Sequence, residues 1–173
     1  MKILAIGDFH GRFPRKLKKQ AEKADLILST GDYAGIEGWR PLLKKVWKAR
    51  KKFIELSLEM VLGKKGYRDL LRRDYLEGKK VIKELNKLKI KTFSVFGNGD
   101  WYKVFFNDYG KKYEDFIRKL KYVKNTNRSR GNFKNLKICG FGGYLDPDIY
   151  FTKKGMKIIG TTYKKNRKRS SCK

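Results

Sequence analysis

The residues able to do chemistry sit at the Gly-rich ends of apolar runs. "KILAIGD" (2–8) is followed by Phe9 and His10, the only histidine among 173 residues. "ADLILSTGD" (24–32) ends in Asp32, and "IKTFSVFGNGD" (90–100) ends in Asn98 and Asp100. Short β-branched runs closed by Gly-Asp read as buried strands. In an extended segment, side chains two apart share a direction, so Asp8 and His10 are expected to face one site. Carboxylates, an imidazole and an amide carbonyl suit manganese, iron or zinc better than calcium. A bridging carboxylate would hold two such metals about 3.5–4 Å apart, which clamps a phosphoryl group and activates water.

These ends meet only if the strands are parallel neighbours. Pro14 opens a basic helix to about Lys23, between the first two strands. Strand, helix, strand then places both acidic ends at the carboxyl edge of a parallel sheet, where open α/β proteins bind ligands. A helical region follows over about 40–90. Leu43, Val46, Trp47, Ile54, Leu58 and Val61 keep helical spacing up to a break at "GKKGY" (63–67). A second helix runs from about Tyr67 to Leu88, with Leu71, Tyr75, Ile82 and Leu85 on one face, making a hairpin or a cap over one edge. Residues 110–120 read as a helix and 122–126 as a short strand. A hairpin is expected around Lys134-Asn135, before the Gly-rich "GFGG" (140–143).

The order "GDFHG", "GDYAG", "GNGD" resembles the calcineurin-like metallophosphoesterase family, whose pattern is D-x-H, G-D-x-x and G-N-H-[DE], then a lone His and G-H-x-H. The resemblance implies an α/β fold, an αββα sandwich with metals between two sheets, here with the second sheet incomplete and a helical hairpin inserted. It implies hydrolysis of phosphomonoesters or phosphodiesters by metal-activated water, with one or two divalent ions (Mn, Fe or Zn) as cofactor. Carried over by position, Asp8 and His10 would bind the first metal, Asp32 would bridge, and Asn98 would bind the second. Asn98 and Asp100 are the catalytic candidates. Gly99 stands where the family has a histidine, so the general acid, worth typically ~10²–10⁴-fold, is absent at that position. The later histidine blocks are absent as well. The expectation is a chain lacking the C-terminal part of the fold, its site completed by a dimer or a second chain.

Lys and Arg number 45 against 17 Asp and Glu, for a net charge of +28. A field of that sign attracts polyanions. Many of these lysines fall on polar helix faces, where solvation explains them. The alternative to an enzyme acting on phosphate esters is a non-catalytic module of the same fold, binding nucleic acid or a protein partner through the basic surface. Cys139 and Cys172 have neither zinc-site nor disulfide-framework spacing, and Cys139 is expected to be a buried thiol. "GFGG" lacks G-x-G-x-x-G spacing, "GKKG" is no P-loop, and Asp146 and Asp148 flank a turn at Pro147. Tyr102, Trp101 and Phe105 would pack in the core or line a pocket. No signal peptide or membrane-length apolar run is present, so the expectation is a cytoplasmic protein with no membrane partner. Residues 1–163 are expected to form one domain and 164–173 a basic tail.

Overall fold

Four short apolar runs form one parallel sheet. The computed structural model describes residues 1–35, 38–97, 99–100, 109–127 and 129–142. Strands β1 (Ile3–Ile6), β2 (Leu26–Ser29), β3 (Thr92–Ser94) and β4 (Val123–Asn125) lie in that order, all parallel. Ile3 pairs with Leu26, Ile27 with Thr92, and Thr92 with Val123, so all four carboxyl ends reach the same edge. Helices α1 (Arg15–Ala21), α2 (Trp39–Arg50), α3 (Leu58–Lys87) and α4 (Tyr109–Arg118) supply the crossovers. Pro14 sits immediately ahead of α1, with φ −58° and ψ 141°. The antiparallel hairpin of β5 (Ser129–Phe133) and β6 (Leu136–Gly140) is the second sheet among the described residues, and it turns at Lys134-Asn135. It packs directly on β3: a Cβ at Gly131 would come within 2.1 Å of the Phe93 ring.

The main core joins Ile6, Ile27 and Phe96 to Val81, Ile82 and Leu85 of α3. A second cluster, Trp39 with Leu70 and Leu71, ties α2 to the first half of α3. The helical region differs from the sequence expectation. Its first helix stops at Arg50 rather than running to Val61. Phe53 is left-handed and 99% exposed, Ile54 is 54% exposed, and Ser57 caps α3 by accepting from the Met60 N–H at 3.1 Å. The apolar period across 51–57 therefore marks no helix, because a Ser cap competes with continuation. The expected break at 63–67 is a local kink at Gly63 (φ 68°, ψ 164°) within α3. Cys139 also departs from expectation: it is exposed on β6. Alternation along the hairpin turns it outward.

Helix α3 approaches the sheet edge closely at Gly78, where a Cβ would lie 2.1 Å from the Tyr113 hydroxyl and 3.0 Å from the Ala34 nitrogen. Helix propensity favours Ala over Gly by about 0.8–1 kcal/mol, but overpacking a core position costs typically ~1–3 kcal/mol. The backbone nitrogen of Ala34 belongs to a constrained loop, so overpacking dominates. Gly78→Ala is expected to lower the stability measured by urea denaturation, whereas a stabilised variant would show that this contact yields freely.

Candidate metal centre

Asp8 and His10 lie beyond the end of β1, and their convergence has a different origin from strand alternation. Both are left-handed (φ 54° and 46°), as is Asp32 beyond β2 (φ 56°). Asp and His are among the non-Gly residues that populate this region most readily. The loops after β1 and β2 hold these conformations by hydrogen bonds between them. Asp8 N–H donates to the Gly31 carbonyl (3.1 Å), His10 N–H to Asp32 (2.8 Å) and Gly11 N–H to Tyr33 (2.8 Å). Strand-style pairing thus continues past the strands in a twisted form.

One ligand atom from each of Asp8, His10 and Asp32 lies within 4.8 Å of the others, the one such group among the described residues. Asp8 is exposed, while His10 and Asp32 are partly enclosed. His10 Nδ1 lies 3.1 Å from the Gly35 carbonyl oxygen. A carbonyl only accepts, so this contact suits the tautomer with the proton on Nδ1, which in the neutral ring leaves Nε2 as the open lone pair. That is the usual arrangement of a ligating histidine, fixed by the bond its other nitrogen makes. The Asp32 carboxyl is pushed upward, first by burial and then by Asp8 beside it, against the lowering effect of the Gly99 N–H. Two crowded carboxylates and an oriented imidazole fit a divalent cation, which would relieve their repulsion.

Asp100 is placed differently. It is 2% exposed, and its carboxylate accepts from the N–H groups of Asp32 (2.7 Å), Gly97 (3.0 Å) and Ala34 (3.0 Å). Burial pushes this carboxyl up to about 7, while those N–H donors pull it down. Both oxygens face donors, a pattern that the ionised form completes. Asp100 therefore grips the backbone that presents Asp32. Gly99 donates its N–H to Asp32 Oδ1 at 2.7 Å. Asn98, Trp101, Tyr102 and Phe105 lie outside the described residues, as do Asp146, Asp148, Cys172, the segment after Gly142 and the basic tail.

Sequence reasoning overlooked Asp74 of α3, which is fully buried and accepts from the Gly35 N–H at 2.8 Å. The signal was a carboxylate on the apolar stripe of Leu71, Tyr75, Ile82 and Leu85. A hollow of about 720 Å³ between α2 and α3, lined by Leu42, Leu62 and Leu70, contains none of the site residues.

The calcineurin-like phosphoesterase family model matches residues 1–171. The chain belongs to that family. A solved structure aligns at 18% identity with a TM-score of 0.55, covering 92% of this chain and 64% of its own length, and this likeness shows the fold. No curated protein matches. The family normally carries divalent metals, in keeping with the donor set of Asp8, His10 and Asp32. No described helix is long and apolar enough to cross a membrane.

Asp100→Asn would set an amide N–H₂ against backbone N–H donors, and an unsatisfied buried donor costs about 1–3 kcal/mol. Urea denaturation of the metal-free protein is expected to report a loss in that range. Unchanged stability would mean that the grip on Asp32, Gly97 and Ala34 contributes nothing.

Proposed function

We propose that this chain is a metal-dependent phosphoesterase. The observation that carries the reading is the Asp8–His10–Asp32 donor group at the carboxyl edge of the parallel sheet in a member of a phosphoesterase family. Asp8, His10 and Asp32 would hold the cation, with Asn98 as a further donor by resemblance. A bound divalent metal supplies Lewis-acid polarisation of a phosphoryl oxygen and lowers the pKa of water. His10 contributes Nε2 because Gly35 occupies Nδ1, and Asp32 keeps its carboxylate fixed through the Gly99 N–H. Gly99 itself has no side chain to hand a proton to the leaving oxygen. Esters whose leaving groups need no protonation are therefore the preferred substrates.

The test is hydrolysis of bis(p-nitrophenyl) phosphate by chelator-stripped protein reloaded with Mn²⁺. Turnover is expected to need the metal and to fall in Asp32→Asn by at least the ~10–100-fold that loss of an outer metal partner costs. Alkyl esters are expected to react more slowly than p-nitrophenyl esters. Folded protein without metal-dependent turnover, or an unimpaired Asp32→Asn, would overturn the reading.

A second reading, a nucleic-acid-binding module, draws support from the end of α2. Exposed Trp47 and Phe53 stand there among exposed Lys44, Lys45, Lys48, Lys51 and Lys52. Bases stack on aromatic faces while cations track the phosphates, each stacked base adding about 1–3 kcal/mol. Fluorescence anisotropy with a labelled single-stranded oligonucleotide is expected to give binding that weakens steeply with salt as counterions are released, and that weakens further in Trp47→Ala. Binding indifferent to salt would argue against it.

A further inference from the structure

Helix α3 reaches the metal centre through one buried side chain. Asp74 Oδ1 accepts from the N–H of Gly35, and the carbonyl of Gly35 in turn accepts from His10 Nδ1. Gly35 joins the two bonds with φ 85°, in the left-handed region, so the peptide on its amino side and the carbonyl on its carboxyl side are held in one fixed relation. The imidazole lies hard against this residue: a Cβ at Gly35 would be 2.8 Å from His10 Nδ1. Close packing at Gly78 keeps α3 near enough to Ala34 for Asp74 to reach. The carboxylate has no solvent exposure, so its hydrogen bonds are not exchanged for water.

We propose that Asp74 is a positioning residue for the metal centre: acting through Gly35, it locks His10 in the Nδ1–H tautomer and so keeps Nε2 as the ligand. The inference rests on the proposed function only in its metal-binding arm. The relay spans two loops and a helix, so Asp74 of α3 shapes ligand affinity without touching the metal. An outer partner of a ligating histidine typically carries ~10–100-fold in metal affinity.

His10 is the only histidine, so the full chain, ¹⁵N-labelled and free of tag and metal, gives a long-range ¹H–¹⁵N spectrum containing a single imidazole. The spectrum is recorded at successively more alkaline pH, and the tautomer is read where the ring signals no longer change. Wild type is expected to carry its proton on Nδ1. Asp74→Ala, or Asp74→Leu if the alanine variant does not fold, is expected to shift the proton toward Nε2. Asp74→Asn retains an oxygen acceptor and is expected to keep the wild-type tautomer. Leu70→Ala loosens the α2–α3 cluster without touching the relay and is also expected to keep it. In parallel, Mn²⁺ titration is expected to show affinity falling ~10–100-fold in the Asp74→Ala or Asp74→Leu variant and holding in Asp74→Asn. A wild-type ring protonated on Nε2, an unmoved tautomer when Asp74 is replaced by Ala or Leu, or an equal shift in Leu70→Ala would each overturn the proposal. Should wild type show the expected tautomer and variant shifts yet bind no Mn²⁺, the relay stands and the metal-dependent function falls.

Discussion

The backbone from Gly31 to Gly35 is the constraint on which the site depends. Its carbonyls at 31, 32 and 33 accept from the β1 loop, and its N–H groups at 32 and 34 donate to Asp100. The N–H at 35 donates to Asp74, and the carbonyl at 35 accepts from His10. Buried backbone groups need partners, and here the partners come from β1, the β3 loop and α3. A five-residue loop tied in three directions has little freedom left. That rigidity allows Asp8, His10 and Asp32 to keep left-handed conformations that an unrestrained chain would abandon.

The price is a pair of buried carboxylates, Asp100 and Asp74, within a strongly basic protein. Each accepts hydrogen bonds from backbone N–H groups. Tyr113 lies close to both charges, and its hydroxyl is raised well above its ordinary value by burial first and then by those carboxylates. It donates to the Tyr75 carbonyl at 3.1 Å. Tyr33 is also buried and donates to Ser29 Oγ at 2.6 Å.

Most of the sheet was legible because its strands are short apolar runs punctuated by Gly-Asp, and parallel connections allow few arrangements. The donor group was legible for the same reason, since carboxyl ends of adjacent parallel strands must meet. Its backbone geometry was not legible, because left-handed φ values at Asp8, His10 and Asp32 arise from hydrogen bonds between loops distant in sequence. The end of α2 was misjudged because apolar spacing alone cannot register a new cap at Ser57. Cys139 was misjudged because a five-residue apolar strand in a two-stranded sheet shows one face to solvent.

Asp74 and Asp100 illustrate a more general limit. Between Arg73 and Tyr75 on a basic helix, Asp74 reads as a solvated residue; only the position of Leu71 three residues earlier and Gly78 four later puts it on the buried stripe. Beside Gly99, Asp100 reads as an acid deprived of its partner, yet in the fold it holds three N–H groups. A glycine at position 99 leaves this part of the loop tied, because its N–H orders the Asp32 carboxylate. Under the proposed function, support of the ligands and delivery of protons are separable: the first is backbone work, which survives loss of a side chain, and the second is side-chain work, which does not.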